Sequence, residues 1–106
     1  MAKQKIKPHI IKLDRRYKHK LEKQFPIDQM IIFGSQVKGT ARQWSDIDVC
    51  VVSPKFGKNR HSERLMLMGL VDDIDLRLEP HPYSPKDFRD KWDGLAAEIR
   101  RTGIPI

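Results

Sequence analysis

The chain has 106 residues, enough for one hydrophobic core and too few for two, so it reads as a single domain over residues 1–106. Hydrophobic residues make up 39% of it and charged residues 33%. No apolar run has the length of a membrane span, and no apolar core follows the basic N-terminus, which sets aside membrane spans and secretory leaders. The net charge of +7 is lopsided: residues 1–23 hold nine Lys or Arg against two acids, and the remainder is balanced.

A nucleic-acid surface would interleave aromatics among those cations, and only Tyr17 stands there. The segment therefore reads as a solvated helix face, or as a patch for an acidic partner protein, with nucleic acid not expected. The lone Cys50 lies in the run Val49-Cys50-Val51-Val52, where a buried, reduced thiol is the simplest reading and a cytoplasmic location the default.

Along the chain, Pro8 suits the first turn of a helix, and Ile10, Leu13, Tyr17 and Leu21 form an apolar stripe on a basic helix of about residues 9–24, within an N-terminal element of residues 1–25. Pro26 ends it. The run Gln29-Met30-Ile31-Ile32-Phe33 predicts a buried strand, stopped by Gly34, and residues 36–41 a short helix. Residues 46–53 predict a central strand. A polar turn over residues 54–60 precedes a helix at about 62–71, with Ser62 as its cap and residues 65–68 largely buried. Residues 73–79 alternate, with Ile74, Leu76 and Leu78 on one side and Asp73, Asp75, Arg77 and Glu79 on the other, which predicts a third strand stopped by Pro80 and Pro82. Ser84-Pro85 then opens a C-terminal helix over residues 84–102. The order α-β-(α)-β-α-β-α predicts an α/β (α+β) domain, a small sheet of about three or more strands flanked by helices, with residues 28–80 as its core.

Chemistry concentrates between Phe33 and Val49. Gly34 lets a phosphate approach its backbone closely, Ser35 adds a hydroxyl, and Lys38 adds a mobile charge. Ten residues later, Asp46 and Asp48 stand two apart on a strand, so both carboxylates share one face. Asp75, with apolar neighbours on both sides, is the choice for a third carboxylate over Asp73 and Glu79. Two unit charges about 5 Å apart repel by roughly 3 kcal/mol at an effective dielectric near 20, so such a group calls for a cation. Oxygen-only ligands favour Mg²⁺ or Mn²⁺. His9, His19, His61 and His81 show no metal-ligand spacing and read as surface or structural residues, and Arg77 as the partner of a neighbouring acid. Trp44 can stack on a base or anchor its loop.

The pattern Phe33-Gly34-Ser35, Asp46-Ile47-Asp48-Val49 and Ile74-Asp75-Leu76 resembles the nucleotidyltransferase superfamily related to DNA polymerase β, most closely its minimal nucleotidyltransferase (MNT) branch. The resemblance covers about residues 28–80. It departs where many relatives read Ser-x-Ala-Arg-Gly, since Lys38 keeps the charge without the forked guanidinium. It implies a mixed sheet flanked by helices, a nucleoside triphosphate donor such as ATP, and two Mg²⁺ ions held by the catalytic Asp46, Asp48 and Asp75, with Gly34, Ser35 and Lys38 on the nucleotide. It also implies an antitoxin-like protein adenylyltransferase whose acceptor hydroxyl lies on a HEPN-like partner protein. A chain this short leaves no room for its own acceptor domain, so a partner or a second copy is expected to complete it. A non-catalytic nucleotide- or partner-binding module on the same fold is the alternative.

Overall fold

A computed structural model describes residues 6–106, so the first five residues of the basic N-terminal segment lie outside the described part. Helix α1 (Pro8–Glu22) begins with Pro8 in its first turn, as that residue's fixed φ and missing donor favour. Strands β1 (Gln29–Phe33) and β2 (Ile47–Val52) follow, separated by the single-turn helix α2 (Ser35–Lys38). Then come α3 (Arg60–Met68), β3 (Leu78–Tyr83), the short α4 (Pro85–Phe88), α5 (Gly94–Thr102) and a two-residue strand β4 (Ile104–Pro105). The sheet is four-stranded and mixed, in the order β3-β2-β1-β4, with β2 and β3 parallel and the other pairs antiparallel. The expected α/β sheet flanked by helices is thus present.

Alternation along β1 and β2 builds two cores. Met30, Ile32, Ile47, Val49 and Val51 face Ile10, Tyr17 and Leu21 of α1 and Leu67 of α3. Ile31, Phe33, Cys50 and Val52 face the other way, onto Phe88 of α4 and Ala96 and Ile99 of α5. The Tyr17 hydroxyl donates to the Leu67 carbonyl at 2.7 Å and ties α1 to α3, a bond of about 1 kcal/mol net when made and costlier when its buried partner is left alone. Burial pushes the Cys50 thiol up to about 12, in keeping with an inert core side chain.

Several expectations are corrected. The third strand covers Leu78–Tyr83, not residues 73–79, and it runs through both prolines. The carbonyls of Arg77 and Tyr83 accept from the N–H groups of Ile47 and Ser53, so the odd-numbered residues face β2. Pro80 and Pro82 turn their donor-less nitrogens to the open edge, the one place in a sheet where proline is harmless. The alternating residues before it are held as turns: Asp73 pairs with Lys20 at 2.5 Å, and Leu76 is 78% exposed. On α1, Asp14 rather than Leu13 completes the fully buried stripe. The helix expected from residue 62 starts earlier, capped by Asn59, whose side chain accepts from Ser62 N, while Glu63 accepts from the backbone of Gly57 and Lys58. Of its residues 65–68 only Leu67 is buried. The C-terminal helix divides in two, because Asp93 caps a new start through Ala96 N.

Candidate active site

β1 ends at Phe33, and Gly34 turns the chain at φ 77°, a region that side chains other than glycine's adopt at a cost. A Cβ placed on Gly34 would lie 2.5 Å from Asp48 Oδ2, so the backbone of the turn rests directly against that carboxylate. Ser35 opens α2, whose amides at Val37 and Lys38 close on the Gly34 carbonyl, and Gly39 ends it in the left-handed conformation. Lys38 is exposed, its Nζ 4.0 Å from Glu98 Oε1, and free to swing toward an anion.

The second half of the site is the start of β2. Ile47 is fully buried on the α1 side, so Asp46 and Asp48 flank it on the opposite side, Asp46 exposed and Asp48 half-buried. Gln36 joins the two halves. It is buried inside α2 and its Nε2 donates to the Asp46 carbonyl at 3.3 Å. Turn, helix and acids are therefore one unit, a link invisible in the spacing of Gly, Ser and Asp.

Asp75 lines a cleft together with Asp46 and is engaged there by Arg77. It lies in the turn before β3, where Arg77 grips it with Nη2 at 2.8 Å from Oδ2 and Nε at 3.0 Å from Oδ1. Those hydrogen bonds hold its carboxyl below the usual range, and its charge is felt by the buried Asp14 of α1. Arg77 Nη1 also donates to the Gln43 carbonyl at 2.9 Å. The pair thereby pins one wall of this cleft of about 620 Å³, lined by His9, Trp44, Asp46, Asp75, Leu76 and Arg77. Trp44 is 81% exposed at its rim and packs on no core.

The residues in register with the acids of β2 are different ones. Glu79 pairs with Asp48 across the parallel ladder, and registered residues of adjacent parallel strands share a face. Arg64 of α3 holds Glu79 at 2.9 Å. One step on, His81 places Nε2 3.3 Å from Asp48 Oδ1, its ring set edge-on against Phe33 at 5.1 Å. Sequence reasoning passed over His81 for want of metal-ligand spacing. The alternation Glu79-Pro80-His81-Pro82 is the signal that puts the acid and the imidazole on one face once those residues are known to be a strand.

Among the described residues no three His, Cys, Asp or Glu side chains converge closely enough to hold a metal ion. Asp46 and Asp48 still fit a hard cation in part. They are an oxygen-only pair on one face, and the side-chain-free Gly34 keeps the approach to Asp48 Oδ2 open. A site of this kind would need phosphate oxygens and water to complete it.

A family model described as a nucleotidyltransferase domain matches residues 14–99. Among solved structures, one described as a candidate nucleotidyltransferase from Sulfolobus solfataricus superposes with a TM-score of 0.63 at 18% identity, over 92% of this chain and 78% of the other. A crystal structure of a toxin–antitoxin with AMP-PNP superposes with a TM-score of 0.61 at 24% identity, over 91% of this chain and 68% of the other. No curated protein matches the chain in sequence.

Proposed function

Because the chain belongs to the nucleotidyltransferase domain family, we propose that it transfers a nucleoside monophosphate, AMP from ATP, to an acceptor hydroxyl on a partner protein. The observation that supports this reading is the Gly34 backbone seated against the Asp48 carboxylate, where a triphosphate and its cation would meet. In the reaction, the acceptor oxygen bonds to the α-phosphorus as the bond to the bridging oxygen of the β-phosphate breaks. Pyrophosphate leaves and the hydroxyl proton is lost to solvent or a base. Gly34, Ser35 and Lys38 would receive the triphosphate, with the amides of the turn and the Lys38 ammonium offsetting its charge. Mg²⁺, held by Asp46 and Asp48, would supply neutralisation of the triphosphate and a lowered pKa for the attacking hydroxyl.

For a third carboxylate we propose Glu79 in place of Asp75, since Glu79 is in register with Asp48 across the parallel ladder. Each of the two acids is held by an arginine, Glu79 by Arg64 and Asp75 by Arg77. A second ion, implied by the MNT resemblance, would need Glu79 released from Arg64. ATP as donor and a toxin-like partner are supported by the neighbour crystallised as a toxin–antitoxin with AMP-PNP. The HEPN-like identity of that partner rests on the resemblance of the motif. The competing non-catalytic reading is favoured by two contacts, the engagement of Asp48 Oδ1 by His81 and of Glu79 by Arg64.

The test is transfer of label from α-phosphate-labelled ATP, with Mg²⁺, to the protein encoded beside this one. Label on the partner that disappears with Asp48→Ala supports the enzyme. Metal-dependent binding of AMP-PNP without any transfer supports the binding module.

A further inference from the structure

The outward side of α1 carries a feature that the nucleotide site leaves unexplained. Lys12, Arg15, Arg16, Lys20 and Lys23 line one wall of a groove of about 510 Å³, and Asp73 with the half-buried Ile74 forms the other. Asp73 is the sole acid of the groove, and it is already taken by Lys20. Arg16 and Lys20 also reach the carbonyls of Asp73 and Leu70, so two of the five cations help hold the turn. Lys12, Arg15 and Lys23 are exposed, and among the described residues their side chains make no hydrogen bond or ion pair. Their like charges repel one another.

The groove is not an extension of the triphosphate site. α1 packs on the sheet face of Ile47, Val49 and Val51, whereas Asp48 and Glu79 belong to the opposite face with Cys50 and Tyr83. A concave wall of one charge sign focuses the field on whatever enters. From residue 12 to residue 23 a helix rises about 16 Å, the span of about five residues of extended peptide. Ile74 and the aliphatic stems of the lysines and arginines provide apolar contact between the charges. Single-stranded nucleic acid would need aromatic platforms along such a track. The exposed Trp44 lies instead in the cleft beside Asp46.

We propose that this groove docks an extended, acidic segment of a protein partner, independently of the nucleotide site. The experiment compares a labelled octaglutamate peptide with a labelled thymidine octanucleotide by fluorescence anisotropy at an ionic strength of about 0.15 M. The wild type is set beside the combined variant Lys12→Glu, Arg15→Glu and Lys23→Glu. A control of equal charge change, Lys55→Glu, Lys58→Glu and Lys86→Glu, alters exposed cations outside the groove. The expected result is peptide binding that the groove variant weakens about tenfold or more and the control less than about threefold. Lys12→Gln, Arg15→Gln and Lys23→Gln should give a smaller loss in the same direction, which guards against misfolding of the reversed form. Equal losses in the two reversals, no binding of the peptide, or tighter binding of the oligonucleotide than of the peptide would each overturn the proposal.

Discussion

Gly34 and Asp48 illustrate how little space the site leaves for change. Gly34→Ala has to place a methyl group 2.5 Å from Asp48 Oδ2 on a backbone at φ 77°, so both the turn and the carboxylate must move. We expect a stability loss of about 1–3 kcal/mol and weaker Mg²⁺-dependent AMP-PNP binding, by urea unfolding and by calorimetry. Asp75→Asn and Glu79→Gln separate the two candidates for the third carboxylate. Asp75→Asn should loosen the Arg77 staple, lowering stability by roughly 1 kcal/mol while nucleotide binding persists, and Glu79→Gln should impair transfer with the fold intact. The reverse pattern in a transfer assay with parallel melts would restore Asp75 to the site. The Gly34-Ser35 turn and the acids at the start of β2 were legible in the sequence because a glycine turn and paired acids beside apolar runs are strong local signals. Glu79, Gln36 and His81 were not, since their placement depends on which strand β2 pairs with and in which register.

The error over β3 has a clear origin. Residues 73–79 alternate as a half-buried strand does, yet their acids find cations locally, Asp73 with Lys20 and Asp75 with Arg77, and the turn is satisfied without a ladder. Residues 78–83 hold two prolines, which ordinarily argue against a strand, but an edge strand needs donors on one side only. Local pattern cannot tell an edge from a centre. At the other end of the parallel pair, α3 depends on its cap. Asn59→Ala removes the acceptor for Ser62 N and should cost about 1 kcal/mol in a denaturant titration, while Asn59→Asp should be nearly neutral. A loss as large for Asn59→Asp as for the alanine would show that the cap is not what holds the helix start.

Asp14 reaches beyond any single element, because α1 presses it into the main core with both carboxyl oxygens lacking a hydrogen-bond partner. Burial, reinforced by the charge of Asp75, pushes its pKa from 3.8 to about 8. The folded protein therefore holds this proton between those values while the unfolded chain releases it. The contribution of Asp14 to stability is most favourable below its unfolded pKa, falls as pH rises through that window, and levels off above the folded pKa. Asp14→Asn cannot ionise, so its advantage over the wild type should grow from pH 4 to pH 8.5, to on the order of a few kcal/mol. Urea midpoints of the two proteins across that range measure it. Parallel curves would mean that Asp14 ionises normally in the fold.

The nucleotidyltransferase family was readable from the amino-acid order, because its motif is a glycine turn and paired acids a short distance apart in the chain. The order of the early elements was readable too, since α1, β1 and β2 follow hydrophobic period and breaker residues. Which acid faces Asp48, that Gln36 braces Asp46, and that Asp14 is sealed without a partner emerged only once the chain was folded. Those properties belong to contacts between segments far apart in the chain. The charge of α1 stands between the two: its amount is plain in the sequence, but that its cations line a groove on the face away from Asp48 follows from α1 packing its apolar stripe on one side of the sheet.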